Sequence, residues 1–460
     1  MSHAPDILVL GLGGSGRGAA RFAAALVARG QARSVTVVDS GDSEELRDAA
    51  TQLEALGVTV VLGTDEIAGA YDLCIASPGI PPHAPILVAA RGASGRVISE
   101  IEFAFEHSTA PWIAITGTNG KTTTTALTCH LLRAAGINAV AVGNIGPAAT
   151  AAIENPDAEV FVAEVSSFQL ALTDRFHPKV AVLLNITPDH LNWHKTLEYY
   201  VADKARIFQN LGGEDVAVVD IDDGGAAPFA DQLAERNVSV VRVSLLRHIA
   251  GGATLTSGVL TLETPGGPVR LVPAEDLAIR GSHNVSNALA AAAAAHAMGA
   301  SASDLQSGLR SFRPLAHRLE PVGTAGGVEW YDDSKATNPD AVFKALDAFG
   351  EQPLVVLLGG RNKGSALAPL AREVAAHARL AILFGEARAE FAAAFDGLPV
   401  RAVQAVGLAD AIELAAMLSE PGDVVLLSPA CASFDEFDSY EHRGDFFRER
   451  VLSVTEADIR

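Results

Sequence analysis

The sequence predicts an α/β protein built from three domains. Its 460 residues are about three times the length of an ordinary domain. Short β-rich runs that end in glycine or polar turns alternate with Ala/Leu/Arg segments of helical period, a pattern typical of parallel sheets covered by helices. Glycine-rich loops follow the opening strands of the first two blocks. We therefore expect domains at residues 1–108, 109–314 and 315–460.

The first block opens with a predicted strand at residues 7–10, a helix at 18–29 and a second strand at 35–38. The motif GLGGSG at 11–16 joins the first strand to the helix, and Asp39 ends the second strand. Glycines here let backbone amides and a helix N-terminus approach a phosphate, and Asp39 can bind a ribose or a base. Taken alone, the loop is either a site for NAD or another nucleotide, or tight packing of a strand on a helix.

Ser77, Pro78 and Gly79 follow a further predicted strand at 74–76. They either help to close the same pocket or form an ordinary turn. Residues 108–111, with the sequence STAP, are interpreted as the linker to the next block.

The second block contains the motif with the clearest chemistry. Residues 116–123, TGTNGKTT, lie between a predicted strand at 112–115 and a predicted helix at 124–135. In such a loop, backbone amides and the helix dipole bind phosphates, Lys121 reaches the β and γ oxygens, and the Thr122 hydroxyl meets Mg²⁺. The glycine that opens the strict P-loop pattern is absent. The sequence indicates a variant P-loop, and the alternative is a glycine-rich turn with a surface lysine.

Two polar residues further along this block are candidates for metal chemistry. Glu164 ends a predicted buried strand at 160–163, and His190 follows another strand. Both are candidate metal ligands, because oxygen and imidazole groups at strand ends converge near a P-loop. Lys204 lies on a predicted amphipathic helix at 197–209, and its spacing alone indicates a solvated lysine.

The third block is predicted to begin after residues 312–314. It alternates apolar strands at 354–358, 380–384 and 424–427 with Ala-rich helices, which again predicts a parallel sheet.

Composition narrows the possible function classes. The formal net charge is −21, from 34 Lys and Arg against 55 Asp and Glu, which argues against nucleic acid or anionic membranes as broad binding partners. Cys74, Cys129 and Cys431 follow no disulfide or zinc spacing. The N-terminus lacks a signal-peptide pattern, and the apolar stretch 288–295 is too short to span a bilayer. We expect a cytoplasmic protein without membrane insertion.

Seven ordered motifs, spread over nearly the whole chain, resemble those of the Mur ligases. They are GTNGKTT at 117–123, EVSSFQL at 164–170, NITPDH at 185–190, GSHNVSN at 281–287, HR at 317–318, DSKATN at 333–338 and LSPACAS at 427–433. Within that family, the wording of SSFQL, DSKATN and SPACAS resembles the members that add D-glutamate to UDP-N-acetylmuramoyl-L-alanine.

The resemblance implies a fold and a first subsite. It implies a Rossmann-like N-terminal domain for the UDP end of the substrate, a central P-loop-type ATPase domain, and a Rossmann-like C-terminal domain for ATP and the incoming amino acid. It implies that the glycine-rich loop at 11–16 binds the diphosphate of this substrate and not NAD. Gly41 stands where the family often has arginine. The residues implied to face the UDP-containing substrate are Ser15, Gly16, Asp39, Ser40, Ser77, Pro78, Gly79, Asn144, Ser166 and Gln169.

The resemblance also implies ATP and Mg²⁺ as cofactors, with two metal sites. In the family, the lysine that matches Lys204 is carbamylated. The resemblance therefore implies that Lys204 is carbamylated rather than a solvated lysine, because a bare ammonium would repel a divalent ion. The implied ATP contacts are Gly117, Thr118, Asn119, Gly120, Lys121, Thr122, Thr123, Asn287, Arg318 and Asp333. The implied metal ligands are Thr122, Glu164, His190 and Lys204.

The implied reaction is ATP-dependent formation of an amide bond through an acyl phosphate, in peptidoglycan precursor synthesis. The partners are then small-molecule substrates, and other enzymes of cell-wall precursor synthesis are the protein partners to consider. In the glycine-rich segment that precedes Lys363, Arg361 differs from the pattern of the family. The implied catalytic residues are Lys121, Glu164, His190, Lys204 and His317. The residues implied to surround D-glutamate are Lys335, Thr337, Lys363, Ser433, Phe434 and Tyr440.

Overall fold

The structure is a computed structural model that describes residues 4–264 and 266–457. The chain forms two compact units. One holds the chain up to residue 274 together with 286–310, and the other holds 275–285 and the chain from 311 onward.

The first unit contains two sheets, and the N-terminal one is entirely parallel, with strand order β3-β2-β1-β4-β5. Alternate side chains of β1 point to opposite faces, so that Ile7 and Val9 pack with the residues of α1 while Leu8 and Leu10 pack with those of α3. Both faces of this sheet are therefore covered. The elements are β1 (Asp6–Leu10), α1 (Gly14–Ala28), β2 (Ser34–Asp39), α2 (Glu44–Glu54), β3 (Thr59–Leu62), β4 (Tyr71–Ala76), α3 (Pro85–Ala93), β5 (Ser94–Ser99) and α4 (Glu100–Glu106).

The second sheet of this unit has nine strands in the order β14-β13-β12-β11-β10-β9-β6-β8-β7, and only the β12–β13 and β13–β14 pairs are antiparallel. The central strands β6, β8 and β9 are buried along their whole length. The strands are β6 (Trp112–Thr116), β7 (Ala139–Gly143), β8 (Val160–Glu164), β9 (Val180–Leu183), β10 (Val216–Asp220), β11 (Ser239–Ser244), β12 (Ala253–Thr256), β13 (Val259–Thr264) and β14 (Gly267–Pro273). The helices are α5 (Lys121–Ala134), α6 (Ala149–Ala152), α7 (Ser167–Leu170), α8 (Leu191–His194), α9 (Leu197–Ala205) and α10 (Ala227–Glu235), followed along the chain by α11 (Ser282–Ala297) and α12 (Ala302–Ser311).

The second unit contains one sheet of six strands in the order β15-β16-β20-β17-β18-β19, parallel except for the β15–β16 pair. Side chains of β17 alternate between two apolar clusters, one on each face. The elements are β15 (Glu320–Ala325), β16 (Val328–Asp332), α13 (Pro339–Asp347), β17 (Leu354–Gly359), α14 (Ala368–His377), β18 (Ala378–Phe384), α15 (Arg388–Phe395), β19 (Arg401–Gln404), α16 (Leu408–Leu418), β20 (Val424–Ala430) and α17 (Tyr440–Ala457).

The predicted α/β class and every predicted strand named above are confirmed. Helix boundaries moved: α1 begins at Gly14 and α5 at Lys121, because the glycine loops are shorter than we predicted and the helices start within the motifs themselves. The predicted helix at 197–209 ends at Ala205 and continues as a 3₁₀ turn over Arg206–Phe208. The three-domain boundaries stay a prediction. Within the described residues, no helix combines the length and apolar character needed to cross a membrane.

Candidate active site

The loop between β6 and α5 has a backbone shape that requires glycine. Gly120 has a φ of 85° and caps the N-terminus of α5, a conformation that costs other residues about 1–2 kcal/mol. A Cβ atom on Gly120 would also lie 2.4 Å from Oδ1 of Asn287, which is itself buried. The loop therefore lies directly against Asn287, and Lys121, Thr122 and Thr123 form the first turn of the helix.

Hydrogen bonds from distant segments hold this loop in place. Asn119 N donates to Asn185 Oδ1 at 2.8 Å, and Asn185 Nδ2 donates back to the carbonyl oxygen of Asn119 at 3.1 Å. The Thr118 hydroxyl lies 2.9 Å from the hydroxyl of Tyr200 on α9. The loop is thereby connected to the segment after β9 and to α9. Such preorganised amides at a helix N-terminus form an anion-binding site.

Two lysines meet at the first residue of the loop. Lys121 Nζ donates to the carbonyl oxygens of Gly117 and Thr118 at 2.9 and 2.8 Å. Lys204 Nζ, from α9, donates to the same Gly117 oxygen at 2.8 Å and lies 4.7 Å from the centre of the Tyr200 ring.

The solvated interpretation of Lys204 from spacing was wrong, because the residue is only 2% exposed. Helix α9 turns this side chain toward the loop. Burial lowers the pKa of Lys204 well below its usual value, and the nearby Lys121 charge lowers it further. The site therefore contains an amine that gives up its proton far more readily than a surface lysine does.

Glu164 supplies a buried carboxylate at the same edge of the sheet. It ends β8, whose neighbour β6 leads into the loop, with Glu164 paired to Ile115. The side chain is 1% exposed, and Oε1 accepts a hydrogen bond from Asn144 Nδ2 at 3.1 Å. Oε2 is buried and has no hydrogen-bond partner among the residues that the structure describes. Since buried polar atoms are nearly always paired, this oxygen fits a cation.

His190 lies in the segment between β9 and α8 and is half exposed. Its ring packs 4.9 Å from that of Phe168, and its Nε2 lies 3.5 Å from an Asp189 carboxylate oxygen. Its backbone has a φ of 52°, an uncommon value for a residue other than glycine. Metal binding by His190 stays a prediction.

Ser166 and Gln169 form a capping box at the start of α7. The backbone N–H and the hydroxyl of Ser166 both donate to Gln169 Oε1 at 2.9 Å, and Gln169 N donates back to Ser166 Oγ at 3.2 Å. These interactions hold the two side chains against each other in the segment that follows Glu164. Their predicted contact with substrate is not decided by this geometry and stays a prediction.

The N-terminal glycine-rich loop, residues 11–16, is also tightly packed. Gly11 has a φ of 84°, and a Cβ atom on Gly16 would lie 1.8 Å from the Gly11 carbonyl oxygen, so that only glycine fits. Asp39 accepts hydrogen bonds from Leu12 N at 2.6 Å and Gly41 N at 2.7 Å. Asp39 therefore supports the loop through backbone amides, and its predicted contact with uracil stays a prediction.

The other residues predicted for this subsite surround the same loop. Ser15 lies in the first turn of α1. Ser77, which follows β4 and precedes Pro78 and Gly79, lies against Gly11 with its hydroxyl 3.4 Å from the Gly11 carbonyl oxygen. Ser40 donates to Asp65 Oδ1.

In the second unit, the predicted catalytic residue His317 and the predicted ATP contact Asp333 are both buried. His317 is 5% exposed, and its Nδ1 lies 2.7 Å from Asp332 Oδ2. That carboxylate raises the pKa of His317 above its usual value. Burial raises the pKa of Asp333 to about 7, although the Ser428 hydroxyl and the Arg318 charge both oppose the increase.

Most of the residues predicted for D-glutamate lie on loops of this unit, and Tyr440 is the first residue of α17. Lys335 Nζ lies 5.1 Å from the centre of the Tyr440 ring. Ser433 is buried, Phe434 is 63% exposed, Lys363 is exposed and Thr337 is half-buried. Their common binding site stays a prediction.

Comparison with known proteins decides the family. The sequence model of the Mur ligase middle domain matches residues 115–295, and that of the Mur ligase glutamate ligase domain matches 317–431. The UDP-N-acetylmuramoylalanine--D-glutamate ligase of Pelotomaculum thermopropionicum is 42% identical over 457 residues, which cover 97% of each chain. This chain belongs to the Mur ligase family. The enzyme of the same name from Geobacter metallireducens is also 42% identical, over 98% of this chain and 97% of its own.

Solved structures of Mur ligases and a pseudomurein ligase share the fold. A pseudomurein peptide ligase type C from Methanothermus fervidus superposes with a TM-score of 0.61 at 19% identity, covering 98% of this chain and 100% of its own. A UDP-N-acetylmuramate-alanine ligase from Thermotoga maritima gives 0.59 at 19% identity, covering 98% and 99%. At this level of identity the similarity concerns the fold.

Arg443 of this Mur ligase was missed by sequence reasoning. It is 1% exposed and donates from Nη2 to the Ser334 carbonyl at 2.8 Å, from Nε to the Ser334 hydroxyl at 2.9 Å and from Nη1 to the Cys431 carbonyl at 3.1 Å. It thus joins the DSKATN and SPACAS motifs. Its position in a charged helical segment carries no signal of burial.

Asn185 and Tyr200 were also missed as site residues of this Mur ligase. Asn185 opens the NITPDH motif, but only its two bonds to Asn119 reveal that it supports the loop between β6 and α5. Tyr200 resembles any aromatic residue on an amphipathic helix, and its bond to Thr118 spans 82 residues of sequence.

Proposed function

We propose that this Mur ligase joins D-glutamate to UDP-N-acetylmuramoyl-L-alanine, with conversion of ATP to ADP and phosphate, as a step of peptidoglycan precursor synthesis. Its 42% identity over 97% of the chain to an enzyme named for that reaction carries the proposal. The DSKATN and SPACAS motifs support D-glutamate as the incoming amino acid.

The reaction needs activation because a carboxylate is a poor electrophile. The L-alanyl carboxylate attacks the γ-phosphorus of ATP, a C–O–P linkage forms, and ADP leaves. The D-glutamate amine then attacks the acyl carbon, and phosphate leaves from the tetrahedral intermediate while the amine loses a proton. The protein contributes mainly positioning and charge neutralisation.

The ATP phosphates are assigned to the loop between β6 and α5. Its glycines expose backbone amides at the N-terminus of α5, and the ammonium of Lys121 already lies over the loop. Residues 117–123 and Asn287 would bind the nucleotide from the first unit. We assign His317, Arg318 and Asp333 to ATP contact from the second unit.

Mg²⁺ fits the first unit because its donor set is of the kind this ion prefers, hydroxyl and carboxylate oxygen. Glu164 offers Oε2, which the rest of the described chain leaves without a hydrogen bond. Thr122 lies in the first turn of α5. We propose that these two residues, with His190 and a modified Lys204, hold two ions. When bound, Mg²⁺ neutralises charge on the phosphoryl oxygens.

We assign a carbamate to Lys204, on its burial and lowered pKa. A neutral amine attacks the carbon of CO₂, an N–C bond forms, and a proton leaves to solvent. This reaction converts a group that repels cations into an anion near Lys121, since both lysines reach the Gly117 carbonyl oxygen. Burial lowers the pKa of Lys204, which supports the assignment because such chemistry needs the neutral amine.

We assign the substrates to subsites by residue. The UDP end would lie on residues 11–16, with Asp39, Ser40 and 77–79, and the muramoyl part near Asn144, Ser166 and Gln169. D-Glutamate would lie among Lys335, Thr337, Lys363, Ser433, Phe434 and Tyr440. The domains would then be 1–108 for the UDP substrate, 109–314 for ATP and 315–460 for ATP and amino acid. Other cell-wall precursor enzymes are the protein partners proposed.

Product release under single omission of each substrate tests the proposed function. ADP and phosphate should appear only when UDP-N-acetylmuramoyl-L-alanine, ATP and D-glutamate are all present. When L-alanine or diaminopimelate replaces D-glutamate, with UDP-N-acetylmuramoyl-L-alanine and ATP present, the rate of product release should be near background. Equal rates with either would contradict the assignment and place the chain in another branch of the family.

A further inference from the structure

A buried hydrogen-bond chain crosses the first unit beside the candidate metal site. His194 Nε2 lies 2.9 Å from Ser167 Oγ, and His194 Nδ1 lies 2.8 Å from Asp203 Oδ2. The histidine side chain has no exposed surface. None of these three residues has a role in the reaction described above.

Each end of this hydrogen-bond chain lies next to a residue of the candidate site. Ser167 is the first residue of α7 and directly follows Ser166, three residues after Glu164 at the end of β8. Asp203 directly precedes Lys204 on α9. His194, the last residue of α8, therefore connects the segment after β8 with the helix that carries the buried lysine.

Aromatic neighbours fix the plane of the imidazole. The Phe168 ring stacks on it at 5.4 Å with an interplanar angle of 20°, and the Tyr200 ring meets it edge-on at 5.1 Å. Tyr200 also bonds to Thr118 of the phosphate-binding loop. A third ring, that of Trp193, lies 4.4 Å away, so the imidazole is held by two hydrogen bonds and three aromatic contacts.

The chemistry of the ring matches its two partners. The Asp203 carboxylate only accepts hydrogen bonds, so the ring hydrogen lies on Nδ1, and the neutral imidazole has Nε2 as its acceptor nitrogen. Nδ1–H donates to the Asp203 carboxylate, and Nε2 accepts from the Ser167 hydroxyl. This is the order of a hydrolase triad, but Ser167 is only 2% exposed. A substrate cannot reach its hydroxyl, so nucleophilic catalysis is excluded.

We propose that His194 is a positioning residue for Lys204. Its two bonds hold α9 against α7 and thereby keep Lys204 Nζ at the Gly117 carbonyl, in the place where the carbamate would form. The inference rests on the proposed function, because it gives His194 a role in preparing that metal site. Without the bonds, α9 can shift relative to the end of β8, and the lysine loses its alignment.

Three substitutions test this role in the full-length enzyme. His194→Phe keeps a flat ring for the aromatic contacts but removes both hydrogen bonds. His194→Asn restores an N–H close to the Nδ1 position and with it the bond to Asp203. His177→Phe is the matched control, since His177 lies 2.6 Å from Asp215 in another His–Asp pair of the same unit, before the start of β9.

The measurements are kcat, KM for each substrate, thermal unfolding, and the lysine carbamate signal in ¹³C NMR after incubation with ¹³C-bicarbonate. For His194→Phe we expect kcat to fall by about 10–100-fold, the range seen when residues that orient metal ligands are replaced. The KM for D-glutamate should stay within about threefold of wild type, and the carbamate signal should decrease. Excess bicarbonate should recover part of the activity of His194→Phe. The His194→Asn variant should retain more of the wild-type kcat and of the carbamate signal than His194→Phe does.

Wild-type kcat and carbamate occupancy in His194→Phe would overturn the inference. So would losses in His177→Phe that equal those of His194→Phe, since they would indicate general destabilisation. Should His194→Phe fail to fold, Ser167→Ala and Asp203→Ala each remove one of the two bonds. Each should lower kcat, and together they should lower it by less than the product of the two effects; unchanged kcat in both would again refute the role.

Failure of the proposed function has a different signature. In that case the wild-type enzyme itself would not consume D-glutamate with its UDP substrate, whatever the state of His194. A wild-type enzyme that is active but shows no carbamate signal would refute the assignment to Lys204 and, with it, the positioning role.

Discussion

Lys204 Nζ donates a hydrogen bond to the carbonyl oxygen of Gly117 at 2.8 Å, which places a buried lysine from α9 against the first residue of the loop between β6 and α5. The same carbonyl accepts a bond from Lys121 at 2.9 Å. Two amines that share one acceptor repel each other when both are charged, and burial makes Lys204 give up its proton more readily than an exposed lysine does. This relationship connects the loop between β6 and α5 to the modification proposed for Lys204.

Lys204→Ala should leave the enzyme nearly inactive, with kcat reduced by about 100-fold or more, because the anion proposed to support the second Mg²⁺ is lost. Short carboxylates such as acetate or propionate should restore part of the rate by occupying the space of the carbamate. Lys195→Ala, at an exposed lysine nearby, is the control and should be fully active. Initial rates of ADP release with and without the carboxylate decide the matter, and an unaltered rate in Lys204→Ala would refute the carbamate.

Glu164→Gln should raise the Mg²⁺ concentration needed for half-maximal activity by about 10-fold or more. The substitution keeps the shape of the side chain but removes the charge at Oε2, the buried oxygen for which the described residues provide no hydrogen bond. Titration of activity with MgCl₂ measures the effect, with the exposed Glu159→Gln as control. An identical titration curve for Glu164→Gln and wild type would show that this carboxylate does not bind the ion.

Gly120→Ala should lower stability and raise the KM for ATP, because the new Cβ would lie 2.4 Å from Asn287 Oδ1 at a φ of 85°. Gly136→Ala separates the two causes, since Gly136 has a φ of 78° but no atom within 4 Å of the new Cβ. We expect Gly136→Ala to lose about 1–2 kcal/mol of stability from backbone strain alone. Its KM for ATP should equal that of wild type. Equal effects of the two substitutions on that KM would contradict the close packing of the loop on Asn287.

Asp333→Asn should make the stability of the ligand-free protein less dependent on pH. Burial raises the pKa of Asp333 from 3.8 to about 7 in the folded protein, so the native state binds more protons than the unfolded state between these values. Its contribution to stability is complete below the unfolded pKa and is lost as the pH rises through about 7. The wild-type protein should therefore lose more thermal stability than Asp333→Asn between about pH 5 and about pH 8.

Differential scanning calorimetry across this pH range measures the effect of Asp333→Asn. Asp347→Asn replaces an exposed aspartate of the same unit and should follow the wild-type curve. A pH dependence in Asp333→Asn that matches wild type would show that this carboxyl is ionised in the fold.

Local patterns were sufficient to predict the strands and the loops that follow them. The strand β6, the TGTNGKTT loop and α5 follow one another along the chain, and each is specified by its own residues: buried apolar side chains, glycines and a helix-forming segment. The start of α5 at Lys121 rather than 124 shows the limit of such patterns, because a helix end depends on capping by a single residue.

The sequence by itself determined the fold class, the two glycine-rich loops and, through its motifs, the resemblance to the Mur ligases. Only the tertiary structure decided that Lys204 is buried, that Arg443 joins two loops and that His194 connects α7 with α9. The reason is physical. Periodicity tells which face of a helix is apolar, whereas the burial of a charged side chain depends on which distant segments cover it. Partners such as Gly117 and Lys204, 87 residues apart, meet only after the sheet has formed.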